Sequence, residues 1–359
     1  MTKPELRVEP LGEAEFGSWN EFVAAVPSGS IYSRTEYLDA LCTAAGGRFT
    51  VLAARRGDLL VGGVALYERD GRFGRYVSPR SLLYYNGPVI RPSGSRYPSE
   101  HTAESIKTLT ALEAAIRARE YASVLLKPRP VLADVRPFLA AGWRPTVGYT
   151  YVVSIADLEQ ARARIEQNLR RLIDRCSRSN FAITDEGDFD GFFRLHAMTM
   201  ERVGAPVYLP AAAFRAFYET LSRQGLARLF SACLPDEGGK VVATQLVLLG
   251  HPVTHTVSAG ADPEHMKSGV TSLLRWEAFA RLSAGGYVAN DLTDATLNAV
   301  THFKSQLGGT LEPWFELRSP ESLPFRWGTR ISRAVQVSRA VAGAAVRRAR
   351  GATQKHSNE

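Results

Sequence analysis

The residue types best suited to chemistry lie in Asn290-Asp291-Leu292-Thr293-Asp294 and in Thr301-His302-Phe303-Lys304-Ser305-Gln306-Leu307-Gly308-Gly309. The first run turns from apolar to acidic and reads as a strand end carrying Asp291 and Thr293. The second sets a lysine behind an aromatic ring and runs into a double glycine. One cation held in a partly closed cleft stabilises the oxyanion that develops during acyl transfer. The competing reading is a solvated helix lysine, since lysines are mostly exposed. Asp291 and His302 are the nearby candidates to accept a proton from an attacking amine. No enzyme nucleophile is singled out, so direct transfer is favoured over a covalent intermediate.

Composition bounds the rest. A chain of 359 residues suits two domains, and 45% hydrophobic with 22% charged residues is the balance of a soluble globular enzyme. No apolar run reaches the length of a bilayer span, and Met1-Thr2-Lys3-Pro4-Glu5 lacks the apolar core of a signal peptide, so the expected location is cytoplasmic. Cys42, Cys176 and Cys233 form neither a disulfide framework nor a ligand spacing, and the histidines form no metal motif, so no metal is expected. The net charge of +8 is uneven: seven arginines and no acid fall between Arg326 and Arg350. Residues 326–350 predict a basic helix with a thin, small-residue apolar face. Arg330, Arg333, Arg339, Arg347 and Arg348 are its candidate contacts to an RNA backbone. A solvated helix and an anionic membrane surface are the alternatives, the membrane being disfavoured by the absence of Trp, Phe and Leu from residues 328–350.

Periodicity predicts two similar halves. In the first, Glu15–Ala25 and Glu36–Ala44 predict helices, followed by strands Phe49–Ala54 and Leu59–Glu68 around the Arg56-Gly57-Asp58 turn. Helix Glu100–Arg119, strand Ser123–Lys127 and helix Val135–Ala141 complete it. In the second, a basic helix Gln160–Arg178 and strand Ala182–Asp185 precede helices Phe189–Val203 and Ala211–Gln224. A hairpin Ala227–Cys233 with Lys240–Leu249, strand Thr254–Ala259, helix Val270–Ser283 and strand Tyr287–Leu292 follow. Each half is therefore a mixed α/β sheet with helices on both sides. The boundaries are 1–147 and 148–317, with 318–359 returning to the first half. Strand–strand–strand–helix–strand–helix is the order of the acyl-CoA N-acyltransferase (GNAT) fold, here in tandem.

The second half resembles the FemABX-like transferases. The resemblance runs through Asn168-Leu169-Arg170-Arg171 and Phe181-Ala182-Ile183, then Met200-Glu201-Arg202-Val203-Gly204 with Tyr208 and Phe214. It continues through Arg228-Leu229-Phe230, Val242-Ala243-Thr244, Ser258-Ala259-Gly260-Ala261, Tyr287 to Asp291-Leu292, and Phe303-Lys304. The first half matches more loosely, through Ser30-Ile31-Tyr32-Ser33, Tyr37 and Asn86-Gly87-Pro88, so that roughly residues 15–317 are covered. It implies attack of an amine on an activated acyl carbon, with Lys304 and its neighbour Phe303 as the family's catalytic lysine and aromatic. In that family the donor is aminoacyl-tRNA and the acceptor a peptidoglycan precursor; no further cofactor is implied. Tyr85, Asn86, Arg202, Tyr208, Ser258, Thr293 and His302 are the candidate substrate-binding residues. Tyr84-Tyr85-Asn86 reads alternatively as core, Arg202 as a carboxylate ligand or a helix cap, and His255 as a satisfied sheet histidine. Trp314 and Trp327 read as packing residues of the returning chain.

Two departures from family patterns refine the expectation. Met266-Lys267-Ser268-Gly269-Val270-Thr271 stands where acetyl-CoA enzymes carry an Arg/Gln-x-x-Gly-x-Gly/Ala pyrophosphate loop, and it keeps one glycine only. That favours an aminoacyl-tRNA donor, with an acyl-CoA donor in envelope polysaccharide or natural-product biosynthesis as the alternative and a catalytically dead binding module as a third reading. Tyr37-Leu38-Asp39 replaces a lysine-containing stretch, Tyr208 falls where an arginine is expected and Ser258 near a family tyrosine. The acceptor is then a less phosphorylated amine: an amino sugar, a peptide amine or a secondary metabolite. Removing residues 326–359 is expected to weaken tRNA binding and flatten its salt dependence, checked by titrations across salt concentrations; an unchanged slope returns the segment to a solvated helix.

Overall fold

Among the described residues, thirteen strands join into one mixed sheet that runs through both halves of the chain. The computed structural model describes residues 4–327. The first half contains β1 (Leu6–Pro10), α1 (Phe16–Ala25), α2 (Thr35–Ala45), β2 (Arg48–Arg56), β3 (Leu59–Gly71), β4 (Gly74–Val77), β5 (Val89–Ile90), α3 (Pro98–Arg117), β6 (Ser123–Leu126) and α4 (Arg136–Ala140). After it come β7 (Arg144–Ser154), α5 (Leu158–Arg164), α6 (Gln167–Cys176), β8 (Ala182–Thr184), α7 (Phe189–Val203), α8 (Ala211–Arg223) and β9 (Ala227–Leu234). The chain continues through β10 (Lys240–Leu248), β11 (Val253–Ala261), α9 (Val270–Ala284), β12 (Ala289–Asp291), α10 (Ala299–Gln306) and β13 (Thr310–Arg318). The strand order is β1-β2-β3-β4-β6-β13-β7-β12-β11-β10-β9-β8, with β5 pairing to β3 off this path.

The local chemistry explains the joints. Gly57, at φ 58°, closes the β2–β3 hairpin between the paired Arg56 and Leu59. Gly238 and Gly239, also at positive φ, bring Leu234 of β9 opposite Lys240 of β10. β11 and β12 run parallel and are joined by the α9 crossover, which a parallel pair requires. β12 therefore sits between β11 and β7, and its last residue, Asp291, ends in mid-sheet.

Apolar side chains gather in three cores. Leu66, Leu112, Phe138 and Trp143 belong to one under the first half, and Phe230, Leu273 and Phe279 to one under the second. The third crosses between them: Trp19, Tyr32 and Tyr37 pack with Phe192, Phe214 and Phe217. The Tyr37 and Phe217 rings meet edge-on at 5.6 Å, a geometry aromatic quadrupoles favour.

The expected basic helix 160–178 is two helices. Ile165 is buried and extended at the break; Asp157 caps α5 through Gln160 N–H, and Glu166 caps α6 through Asn168 N–H. Leu169, Ile173 and Cys176 turn into the core beneath α9, which makes α6 an amphipathic surface helix. β1, β4, β7 and β13 were not anticipated, and the boundary expected at 147/148 falls inside β7. β13 pairs with β7 along its whole length and with β6 at Leu317 and Arg318, so the returning chain lies between the halves. Arg330, Arg333, Arg339, Arg347 and Arg348, proposed to contact tRNA, lie outside the described residues.

Gly148 of β7 faces Trp314 of β13 so closely that an added Cβ would stand 2.2 Å from the indole. Gly148→Ala is expected to destabilise the fold by roughly 1–3 kcal/mol through overpacking. Gly17→Ala, on the exposed start of α1 with nothing near its Cβ, is the neutral or stabilising control; thermal unfolding of both variants checks the pair.

Candidate functional site

The site is built at the end of β12. Asp291 is buried, and its carboxylate accepts hydrogen bonds from the Tyr85 hydroxyl (2.8 Å), the Thr150 hydroxyl and the Thr293 N–H (2.8 Å). His255 Nδ1 lies 3.6 Å from the same carboxylate. Burial pushes this carboxyl upward, but His255 and the hydroxyl donors outweigh it and hold Asp291 below the usual carboxylate range. A carboxylate so fully hydrogen-bonded is a weak base, and with Tyr85 coming from the first half it ties the halves together. Its neighbour departs from expectation: His255 is not a satisfied sheet histidine. Neither ring nitrogen has a partner within hydrogen-bond distance among the described residues, and burial pushes its pKa down against a partial offset from the Asp291 carboxylate 3.6 Å away.

Beyond Asp291 the chain makes a left-handed turn at Thr293 (φ 48°) and Asp294 (φ 51°), a conformation that costs non-glycine residues about 1–3 kcal/mol each. The Thr293 hydroxyl donates to Thr256 O at 2.9 Å and helps fix the turn. The turn aims two carbonyls at Lys304, whose Nζ donates to Thr293 O and to Asp294 O, the latter at 2.6 Å. The lysine reaches them from α10, started by Asn298, whose side chain accepts from Thr301 N–H at 2.9 Å. Burial first, then repulsion from Arg275, lowers the Lys304 pKa to about 8, against a partial offset from Asp294 and Asp291.

Two hollows flank this lysine. Phe303 lines a pocket of about 360 Å³ with Arg202, Gly260, Met266, Thr271 and Arg275 among its walls. Asp294, whose carbonyl holds Lys304, lines a cleft of about 130 Å³ between the halves with Tyr84, Tyr85, Lys127 and Trp314. Lys304 is thus tied to both hollows through its neighbours: Phe303, next to it in the chain, lines one, and Asp294, whose carbonyl it donates to, lines the other.

The structure brings together Asp291, Thr293, Phe303, Lys304 and Tyr85. Ser258 and Tyr208 form a second group around His196, which sequence reasoning missed. The Tyr208 N–H donates to His196 Nε2 at 3.4 Å, which leaves Nδ1–H to donate to Ser258 Oγ at 3.0 Å. Burial pushes His196 down to about 4, so it is a neutral spacer at neutral pH. Asn86 is used by the backbone, donating to Leu125 O and accepting from Lys127 N–H. Arg202 lines the larger pocket and rests on Met266 sulfur at 3.0 Å. His302 is exposed on α10 and lines neither hollow. Tyr84 and Tyr85 both line the cleft and both pack on the core between the halves, so the pair serves core and cleft together. Trp314 packs on β13, with Lys127 Nζ 4.8 Å from its ring centroid. Arg275 was also missed: it lies on the buried face of α9, and the only signal was an arginine among apolar neighbours Leu273, Leu274 and Ala278.

Comparisons with known proteins bear on the fold. Residues 159–305 match the family model of the acetyltransferase (GNAT) domain. The chain is similar to the crystal structure of FemX, with TM-score 0.68 at 14% identity over 86% of this chain and 96% of that one. It is similar to L-PGS from Bacillus licheniformis, with TM-score 0.54 at 13% identity over 90% and 97%. A tandem GNAT protein from the clavulanic acid biosynthesis pathway gives TM-score 0.51 at 14% identity over 88% and 98%. No curated protein matched the chain. The fold is thus the GNAT-type acyltransferase fold in the tandem, FemABX-like arrangement. Among the described residues no helix is long and apolar enough to cross a membrane.

Tyr85→Phe removes a donor from a buried anion and is expected to cost about 1.5–3 kcal/mol. Because the Asp291 pKa is depressed in the folded state, its contribution is complete above the unfolded value near ~3.9 and is lost as pH falls through the folded value. Asp291→Asn should flatten that acid segment of the stability profile; thermal unfolding between about pH 2 and pH 6 measures it.

Proposed function

We propose that the protein is an N-acyltransferase that moves an aminoacyl group from aminoacyl-tRNA to an amine of a small or peptide-like acceptor, such as a cell-wall precursor or a secondary metabolite. The observation that carries the reading is Lys304, a half-buried cation held by the Thr293 and Asp294 carbonyls, with Phe303 beside it lining one hollow and Asp294 lining the other. One hollow receives the acyl end of the donor and the other the acceptor amine. The amine nitrogen bonds to the ester carbon and the bond to the 3′-terminal tRNA oxygen breaks. Lys304 neutralises the carbonyl oxyanion and then the departing oxygen, and the proton shed by the amine ends on that oxygen as a hydroxyl. Phe303 supplies an apolar wall that keeps the local field strong. Asp291 holds the turn that positions the lysine rather than accepting the proton.

The start of α9 supports an ester donor. Met266 and Thr271 lie on the pocket wall, and the Val270 N–H, a donor a pyrophosphate cradle would use, goes to Ser268 Oγ at 3.2 Å. The match of residues 159–305 to an acetyltransferase domain favours a second reading, an acyl-CoA donor with the same lysine role.

Labelled aminoacyl-tRNA pools and acyl-CoAs, each offered with amine acceptors, separate the two; transfer that survives ribonuclease overturns the tRNA donor. Lys304→Ala is expected to lower kcat by about 10²–10³. Since the cation is the active form, activity should fall as pH rises through about 8, and Lys304→Arg should move that fall to higher pH.

A further inference from the structure

A buried arginine without an acceptor is costly, because a guanidinium taken out of water needs its hydrogen bonds and an opposing charge. Arg275 is in that condition. It is 9% exposed, and its Nε and Nη1 have no hydrogen-bond partner among the described residues. Most buried guanidinium groups are matched by a carboxylate or by carbonyls; among the described residues neither is supplied to Nε or Nη1. The side chain lines the 360 Å³ pocket, and no Asp or Glu is among the residues that line it. Arg202, from α7, adds a second cation to the lining. The rest of the surface is largely apolar, with Met266, Leu274 and Phe303.

We infer that this pocket recognises a carboxylate on a small, otherwise apolar group, with the Arg275 guanidinium as its buried ion-pair partner. This deepens the acyltransferase reading and rests on it for the identity of the bound group: a carboxylate on the transferred acyl group or on the amine acceptor. The planar fork of arginine matches a carboxylate through two parallel hydrogen bonds, and the apolar walls select a hydrocarbon body over a bare inorganic ion. The volume lies at the lower end of small-molecule sites. Binding has an electrostatic consequence as well: Arg275 depresses the Lys304 pKa, so a carboxylate seated on Arg275 relieves that repulsion and favours the lysine cation.

The test uses the full chain with hexanoate, its neutral isostere hexanamide and inorganic phosphate, followed by ligand-observed NMR and by thermal unfolding. Hexanoate should bind the wild type, hexanamide should bind at least roughly tenfold more weakly, and Arg275→Met should weaken hexanoate by a similar factor. Arg275→Met should also unfold at a temperature no lower than the wild type, because the substitution removes an unpaired buried charge while keeping the volume. A lowered unfolding temperature marks a structural arginine and overturns the inference. So does hexanoate binding that ignores Arg275→Met, absence of hexanoate binding to the wild type, or phosphate binding in preference to hexanoate. Lys304→Ala keeps the hexanoate site. Failure of the transfer assay with intact hexanoate binding therefore sinks the acyltransferase reading alone, and the reverse result sinks the pocket assignment alone. Competition between hexanoate and an amine acceptor or an acyl donor assigns the carboxylate to one of the two substrates.

Discussion

The buried negative charge on Asp291 is the constraint from which the centre of this molecule follows. A carboxylate in mid-sheet must be given hydrogen bonds, and here both halves supply them. Tyr85 comes from the loop that follows β4, Thr150 from β7, and the Thr293 N–H from the turn beyond β12. Satisfying the charge fixes the relation between the halves and bends the chain at Thr293 and Asp294 at the same time. The bend offers the carbonyls that hold Lys304. Removal of water from one acid is in this sense what locates the lysine.

The electrostatics of the two cations follow from the same geometry. Lys304 is pinned by carbonyl dipoles rather than by a carboxylate, so its charge is oriented without being cancelled. Arg275 lies near enough to oppose it, and the pocket that Arg275 lines is largely apolar. Such an arrangement is poor for stability and good for meeting an anion, whether a transient one on a carbonyl oxygen or a permanent one on a ligand. Burying polar groups without partners is the sort of local conflict that folded chains keep mainly where binding or chemistry uses it.

Much of this was legible in the residues, and what was not has physical reasons. Asp291 and Lys304 stood out because an acid at the end of an apolar run and a lysine behind a phenylalanine break the local pattern. Tyr85 was legible only as a member of an aromatic turn; its bond to Asp291 spans 206 positions, beyond any periodicity. Arg275 and His196 occupy helices whose other residues already explain the helix, and only packing shows which face they are on. β7 and β13 escaped because Pro145, Gly148 and Pro313 interrupt the alternation and many of their residues are exposed. The two-helix break at Ile165 was hidden by the reverse effect, an uninterrupted basic, apolar-periodic stretch.

The place of β13 has a temporal meaning. Among the described residues it is the last strand in sequence, yet it fills the middle of the sheet, contacting β6 on one side and β7 on the other. During synthesis from the N-terminus the first half emerges with β6 lacking this neighbour, and β7 waits for the same strand through the whole of the second half. Until residue 318 is available, both exposed edges are templates for wrong pairing. The chain is therefore most vulnerable late in its synthesis, when nearly all of its core is made and the strand that closes the sheet is not.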